Sequence, residues 1–441
     1  MLQLPVEIRR LCLEALGDDG EALKATRLVN KELGVLATEI LFRRAILNNT
    51  EDSAEKFRQL LGSTLNPHIH RLVINTSDDP EYTGGGREEA ELSESFLEML
   101  RVMHEVRNLE EVELKFAKEC AVDVPHRFTN DAAETAHFRK ELFENFLPAL
   151  REAEHVRTLT IKNLQDHHEK SVFECEDFTV VRDRLTQLHL QIVSEWDHAS
   201  GESSIDKPAL HTGYTQDLPN IWLRPLNGQL TRLTLYGDSL WGIWPIVDFR
   251  TIPRFMHLKS LSLGNFTIAH NWQIDWIVSH NETLEELILD DCFIVTTLSV
   301  NEKPMKANFP DLPIHRRARW DTVYFTQVPM RWHEVLVRFR IELPQLQHFA
   351  MGHGDWEEGQ AFDQRHELIS EIADSRYAMY DWGRGPTQWI IGGESFHEKG
   401  YSFNGGTKER EYFEFPTCAD EDRQALISLL ECAEQRADAR R

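Results

Sequence analysis

Cysteine is scarce in this chain and scattered, at Cys12, Cys120, Cys175, Cys292, Cys418 and Cys432. No Cys-x-x-Cys spacing occurs, so neither a zinc knuckle nor a redox pair is signalled. Basic residues are outnumbered, 48 Lys and Arg against 73 Asp and Glu, for a formal net charge of −25. A surface this acidic repels phosphate backbones and argues against nucleic-acid binding. The densest basic cluster, Arg316, Arg317 and Arg319, is short and isolated and reads as a solvated loop. No apolar run is long enough to cross a bilayer, so no membrane span is expected. Glu7, Arg9 and Arg10 interrupt any signal-peptide core. The sequons at Asn48 and Asn281 then read as coincidental, and the expected compartment is cytoplasmic, nuclear or both, with reduced thiols.

Catalytic signatures are equally thin. Gly84-Gly85-Gly86 lacks the Lys-Ser/Thr of a phosphate loop, and Gly392-Gly393 reads as a turn. His68-x-His70 and His167-His168 have no third ligand at a usual spacing. No Gly-x-Ser-x-Gly elbow exists. The reading is of a chain with no catalytic residues, no metal site and no cofactor, and not of an enzyme.

What is present begins at the N-terminus. Residues 4–16 form a helical pattern with Pro5 at its first position, where a missing N–H costs nothing. On it Leu4, Ile8, Leu11, Cys12 and Ala15 share one stripe, and Val6 and Leu13 lie opposite. Gly17-Asp18-Asp19-Gly20 breaks the helix, a second runs from Glu21 to about Asn30, and a third from Glu32 to about Arg43. The third carries Leu33, Leu36, Ala37, Ile40 and Leu41 on one face, with Val35 and Phe42 on the other. The first and third helices are thus apolar on two sides. About forty residues make too small a core to need both, so the second side calls for a cover. That cover is either the rest of the chain, which would make these helices an N-terminal cap, or a partner.

The run Leu4-Pro5-x-Glu7-Ile8, Leu11, Leu16, Leu28-Val29-Asn30-Lys31-x-Leu33, Leu36-Ala37, Leu41-Phe42-Arg43 resembles the F-box motif, closest to its fungal variant, over residues 3–45. The resemblance implies docking onto the Skp adaptor of Skp–cullin–F-box (SCF) ubiquitin ligases. By position, Leu4, Pro5, Ile8, Leu28, Val29 and Leu33 match adaptor-facing residues, and Leu36, Ala37 and Leu41 match the apolar positions of the third helix. Many members carry a Trp near the motif's end; its absence here implies weaker adaptor binding.

Further along, apolar-x-x-apolar-x-apolar recurs nine times. The copies start at Ile69, Leu109, Val156, Leu185, Leu230, Leu258 and Leu284, with weaker ones at Trp320 and Leu346. Alternation over the last three positions reads as a short strand with one buried face. The segments Leu284–Ile294 and Leu230–Leu240 continue in the way that resembles the leucine-rich repeat, with Cys292 and Asp238 at the turn position. There the side chain is expected to bond backbone groups as the chain leaves the strand. Spacings of 28 residues (Leu233 to Leu261) and 26 (Leu261 to Leu287) fit such repeats, whereas 40 (Leu72 to Val112), 47 (Val112 to Leu159) and 45 (Leu188 to Leu233) imply long excursions. Helices are expected over 87–105, 133–151, 271–280, 331–342 and about 420–437, and loops over 197–219 and 296–318.

Trp241, Trp244, Trp272 and Trp276 gather near these loops and, as a group, are the candidate target-binding residues, although any one of them suits a core. Past Gly352 the chain turns rich in Gly and aromatics, with strands expected at 388–391 and 412–415 and a hairpin turn at Asn404-Gly405-Gly406.

The expected architecture is α/β: a three-helix F-box (1–46), an irregular leucine-rich-repeat-like solenoid (47–351) and an aromatic, Gly-rich C-terminal cap region (352–441). The expected function is substrate recognition in an SCF-type ligase, with the Skp adaptor and a target protein as partners and neither nucleic acid nor membrane. The alternatives are a repeat scaffold unrelated to ubiquitin and an enzyme with a dispersed site.

Overall fold

A computed structural model describes residues 4–16, 19–77, 91–121, 134–167, 169–195, 208–301, 315–317, 323–356, 360–381, 389–392, 401–403 and 411–440. The triglycine at 84–86, His168, Arg319, Trp320 and the turn at 404–406 lie outside these residues. The chain divides into two compact units, one built from residues 1–119, 130–162 and 169–185, the other from 120–129, 163–168 and 186–441. Each is mixed α/β around mostly parallel strands. Among the described residues no sheet closes into a barrel, and no helix is long and apolar enough to cross a membrane.

The first unit opens with three helices, α1 (Val6–Glu14), α2 (Gly20–Arg27) and α3 (Lys31–Leu41). Asp19 caps α2 by accepting from the Ala22 amide, and Asn30 caps α3 by accepting from the Leu33 amide at 3.0 Å. Pro5 precedes the first helical residue instead of occupying it, with an extended ψ of 151°. Leu13, Leu23, Leu33, Leu36 and Ala37 form the helices' own core, with Ile40 and Leu41 half-buried at its edge. Arg9–Glu32 at 2.6 Å and Arg10–Glu39 tie α1 to α3. A Cβ on Gly34 would stand 3.0 Å from the Arg27 carbonyl oxygen, so glycine sets the close approach of α2 and α3.

Four parallel strands follow in chain order: Arg44–Asn48, Arg71–Asn75, Glu111–Lys115 and Thr158–Gln165. Their register aligns Ala45, Leu72, Val112 and Leu159 in one row and Leu47, Ile74, Leu114 and Ile161 in the next. All eight are buried. Parallel neighbours need crossover connections, and helices supply them. Glu51–Leu61, Glu94–Arg101, Ala136–Glu152 and Glu176–Arg182 pack each against the next. Three of these strands coincide with the repeated hexapeptide. The first was not foreseen, because Ala45 and Leu47 offer only two inward apolar residues directly behind a helix.

In the second unit Gln187–Val193, Arg232–Trp241, Ser260–Ile268, Glu286–Asp290 and His348–Gly352 are parallel. Their rows are Leu188–Leu233–Leu261–Leu287–Phe349 and Leu190–Leu235–Leu263–Leu289–Met351. The copy at Val323 departs from this pattern, since its strand (Val323–Gln327) runs antiparallel to Phe293–Asn301. The turn chemistry sits one residue earlier than the repeat consensus suggested. Asn163, Asn265 and Asp291, each two residues past the last apolar of a copy, have φ of 57°, 57° and 46°. Asn and Asp tolerate that left-handed conformation best among non-glycine residues. Cys292 also bonds backbone as expected, its thiol 3.4 Å from the Leu263 carbonyl oxygen.

Both expected loops are corrected over their described parts. Residues 208–219 are helical, within Pro208–His211 and a wide helix over Gly213–Leu223, because Tyr214, Leu218, Trp222 and Leu223 all find burial. Residues 296–301 continue the strand Phe293–Asn301, and Arg316 and Arg317 lie in a short strand, His315–Arg317. In the tail, Trp389–Ile391 pairs with Tyr377–Asp381, Tyr401–Phe403 with Glu411–Phe413, and a helix spans Ala419–Asp438.

Candidate functional sites

The N-terminal helices spend one apolar side on their own core and leave the other bare. Leu4 just ahead of α1 and Val6, Ile8 and Leu11 on it are 40–59% exposed, and Leu28 and Val29 at the α2–α3 turn are 88% and 67% exposed. Val35 on α3 is open as well. Leucine at a turn usually folds back under its helices. Here α2 already points Leu23 inward, and the chain must leave the core to reach Asn30, the cap of α3. Of the residues expected to face an adaptor, Leu4, Pro5, Ile8, Leu28 and Val29 are on the surface. Leu33, Leu36 and Ala37 are corrected to interior positions, and Leu41 is half-buried beside them. Periodicity shows that α3 has an apolar stripe; only packing shows that α1 and α2 cover it.

The tryptophans do not form a pocket. Trp241, Trp244 and Trp276 are 0%, 2% and 6% exposed. Trp241 donates its indole N–H to the Gly264 carbonyl oxygen at 2.8 Å and stacks on Tyr214, and Trp276 stacks on Phe249 at 4.4 Å. Trp272 is half-buried, stacked on His270 at 5.0 Å with the Arg250 guanidinium also 5.0 Å from its ring centre. Three of the four are core, and the target-binding reading of the group is withdrawn.

A polar constellation that composition could not single out lies on the strand face opposite the leucine rows. Tyr236, Gly264, Asp290 and Gly352 are register partners on four adjacent strands. The Tyr236 ring lies over Gly264, where a Cβ would come within 2.4 Å of it, and its hydroxyl donates to Asp290 at 3.2 Å. Asp290 also accepts from the Gly354 amide at 2.8 Å and the Trp356 indole at 3.3 Å, while Trp356 stacks on Tyr236. Burial, together with the neighbouring Asp291 carboxylate, raises the Asp290 carboxyl to about 6. His353, 2.7 Å from Asp291, is held above the usual imidazole range by that carboxylate. Asp290 Oδ1 is thus engaged by Gly354 and Trp356 of the segment at residues 353–356, and its Oδ2 by the Tyr236 hydroxyl of a neighbouring strand. The arrangement works as a latch, holding that segment on the strand face.

A second buried network joins two parallel helices, Trp332–Glu342 and Ala419–Asp438. Asp422 is fully buried near the start of the latter. It accepts from the His333 amide and Nδ1, each at 2.9 Å, from Arg376 Nε at 2.8 Å and from the Tyr377 hydroxyl at 2.9 Å. Despite the burial, these donors, Arg376 foremost, hold the carboxyl below its usual range. Cys418 Sγ lies 3.5 Å from the same carboxylate, so His, Cys and Asp ligand atoms converge in the spacing of a metal site. The Arg376 guanidinium already neutralises Asp422, and a dication would have to displace it. The donor set fits a tethering network better than a metal centre.

No protein-family model matches this chain, and no curated protein matches it.

Proposed function

We propose that this chain is the substrate-recognition subunit of an SCF-type ubiquitin ligase. In this reading α1–α3 are an F-box that docks on the Skp adaptor, and the strand–helix array is an irregular leucine-rich-repeat-like solenoid that holds a target protein. The observation that carries it is the bare apolar side of α1 and the α2–α3 turn, above helices that already possess a core. Each such side chain gains about 1.5–3 kcal/mol when fully buried, enough for a few of them to anchor a partner. An interface of standard size would cover about 800 Å² on each side. The chain itself does no bond chemistry; it raises the concentration of a target beside the ligase's charged ubiquitin carrier.

The test is co-expression with the Skp adaptor. Ile8→Asp and Leu28→Asp place a charge on the surface side and are expected to keep the fold but abolish co-purification. Leu33→Asp puts its charge into the three-helix core and is expected to unfold the helices instead. Equal co-purification of wild type, Ile8→Asp and Leu28→Asp rejects the ligase reading and leaves a repeat scaffold.

A further inference from the structure

The helices Trp332–Glu342 and Ala419–Asp438 touch along their lengths in parallel. His333 bonds Asp422, Arg340 Nη1 donates to Ser428 Oγ at 2.5 Å, and Arg436 Nη1 donates to the Leu343 carbonyl oxygen at 2.9 Å. Above this seam runs an open groove of about 880 Å³, lined on one side by His333, Glu334, Val337 and Arg340 and on the other by Glu421, Gln424, Ala425 and Ser428, with Asp420 at its end. Both linings repeat at three and four residues, so each wall is a single helix stripe.

The walls are apolar in the middle and acidic at the rim. Val337 is exposed at the centre, and Ile341, one turn further on the same helix, is 66% exposed. Glu334, Asp420 and Glu421 put three carboxylates on the groove; Asp420 is paired with Arg423 at 3.0 Å, Arg340 is bound to Ser428, and Glu334 and Glu421 carry the open negative charge of the rim. His333 spends its Nδ1 on Asp422.

We infer that this groove is a docking site for a cationic amphipathic helix of a partner protein. Two parallel helices with a trough between them present the ridges against which a third helix packs. The apolar stripe of the incoming helix covers Val337, Ala425 and Ile341, and its flanking Lys or Arg side chains meet Glu334 and Glu421. This does not depend on adaptor docking, which involves residues of the other unit, and the two fail separately. In a ligase subunit, the groove would select targets carrying such a helix.

The experiment uses the full chain and a fluorescein-labelled Leu/Lys peptide of about 16 residues, patterned as an amphipathic helix. Its controls are a scrambled peptide of the same composition and the counterpart with Glu for Lys. Fluorescence anisotropy is expected to show saturable binding of the patterned Leu/Lys peptide alone. Val337→Glu makes the groove more acidic but removes its apolar centre, and Glu421→Lys reverses a rim charge at an exposed position. Each is expected to weaken binding at least tenfold while leaving the melting temperature unchanged. If Val337→Glu alters folding, Glu421→Lys with Gln424→Lys carries the test. Equal binding of the scrambled peptide, or wild-type affinity in the folded variants, overturns the inference in favour of adsorption to an acidic surface. A chain dimer in size-exclusion chromatography that Glu421→Lys dissolves overturns it in favour of a second copy.

Discussion

The strand array and the N-terminal helices use the same side chains with opposite outcomes. Leu233, Leu261 and Leu287 are register neighbours and all 0% exposed, whereas Leu28 is 88% exposed. In the array each strand's leucine is covered by the identical position of the next copy, so burial grows with the number of repeats. Three short helices have no next copy. Their core closes on Leu13, Leu23, Leu33, Leu36 and Ala37, and further apolar residues are left over. An apolar residue is structural where repetition covers it and is free for recognition where nothing in its own unit does.

The comparison is broken most severely by removing a row. Leu261→Ala sits between two strands that both rely on it, and should cost about 3–4 kcal/mol, read as a lower urea midpoint by circular dichroism. A loss below about 1 kcal/mol would mean that the rows are not the main source of stability. Asp422→Ala tests a polar equivalent. It leaves the Arg376 guanidinium buried without its carboxylate and should cost about 3 kcal/mol. The protein should also lose protection from proteolysis at the helix Ala419–Asp438, because that residue ties it to His333, Arg376 and Tyr377.

Asp290 separates latch from core by pH. Its folded carboxyl, raised to about 6 from an ordinary 3.8, favours the protonated form. The stability it contributes is complete below about pH 4 and lost as pH rises through about 6. Glu286, held below its usual range by hydrogen bonds from His348, His366 and Ser260, works in the opposite sense and loses stability as pH falls. The clean measurement is therefore a difference. Asp290→Asn, which cannot ionise, should gain on wild type by about 1.4 kcal/mol between pH 5 and pH 7.5. A flat difference between the two melting curves would show that Asp290 is not penalised for its charge.

The same contrast explains what could be read in advance. Eight of the nine hexapeptide copies have their last two apolar positions on strands of the parallel rows, because period-two alternation is local and every copy repeats it. The exception, at Val323, has the alternation but antiparallel partners, which no local pattern encodes. Helical periodicity placed apolar stripes on α1 and α3 correctly. It grouped Leu33, Leu36 and Ala37 on one face, and the motif resemblance then listed them with the adaptor-binding residues, because a helix apolar on two sides does not announce which side its neighbours take. The tryptophans failed for a related reason: a large ring suits a core and an interface equally, and Tyr214, Phe249 and Gly264 claimed Trp241 and Trp276 first. The Asp290 latch was invisible because its members, Tyr236, Gly264, Asp290 and Trp356, meet only through strand register.

The smallest expected effect is the most telling for the helices. Leu28→Ser removes a large apolar side chain from water at the α2–α3 turn, where the fold does not bury it. Stability should therefore change by less than about 0.5 kcal/mol, as for a surface substitution away from any cap or core. Leu36→Ser, on the buried side of α3, is the matched control and should cost several times more, since a hydroxyl replaces packed methyl groups against Leu13 and Leu23. Thermal melting of the two variants compares them directly, and light scattering on the same samples reads whether losing Leu28 reduces self-association. If Leu28→Ser destabilised the chain as much as Leu36→Ser, the α2–α3 turn would be part of the core after all. The apolar surplus that distinguishes these helices from the strand rows would then have to be sought on α1 alone, at Ile8 and Leu11.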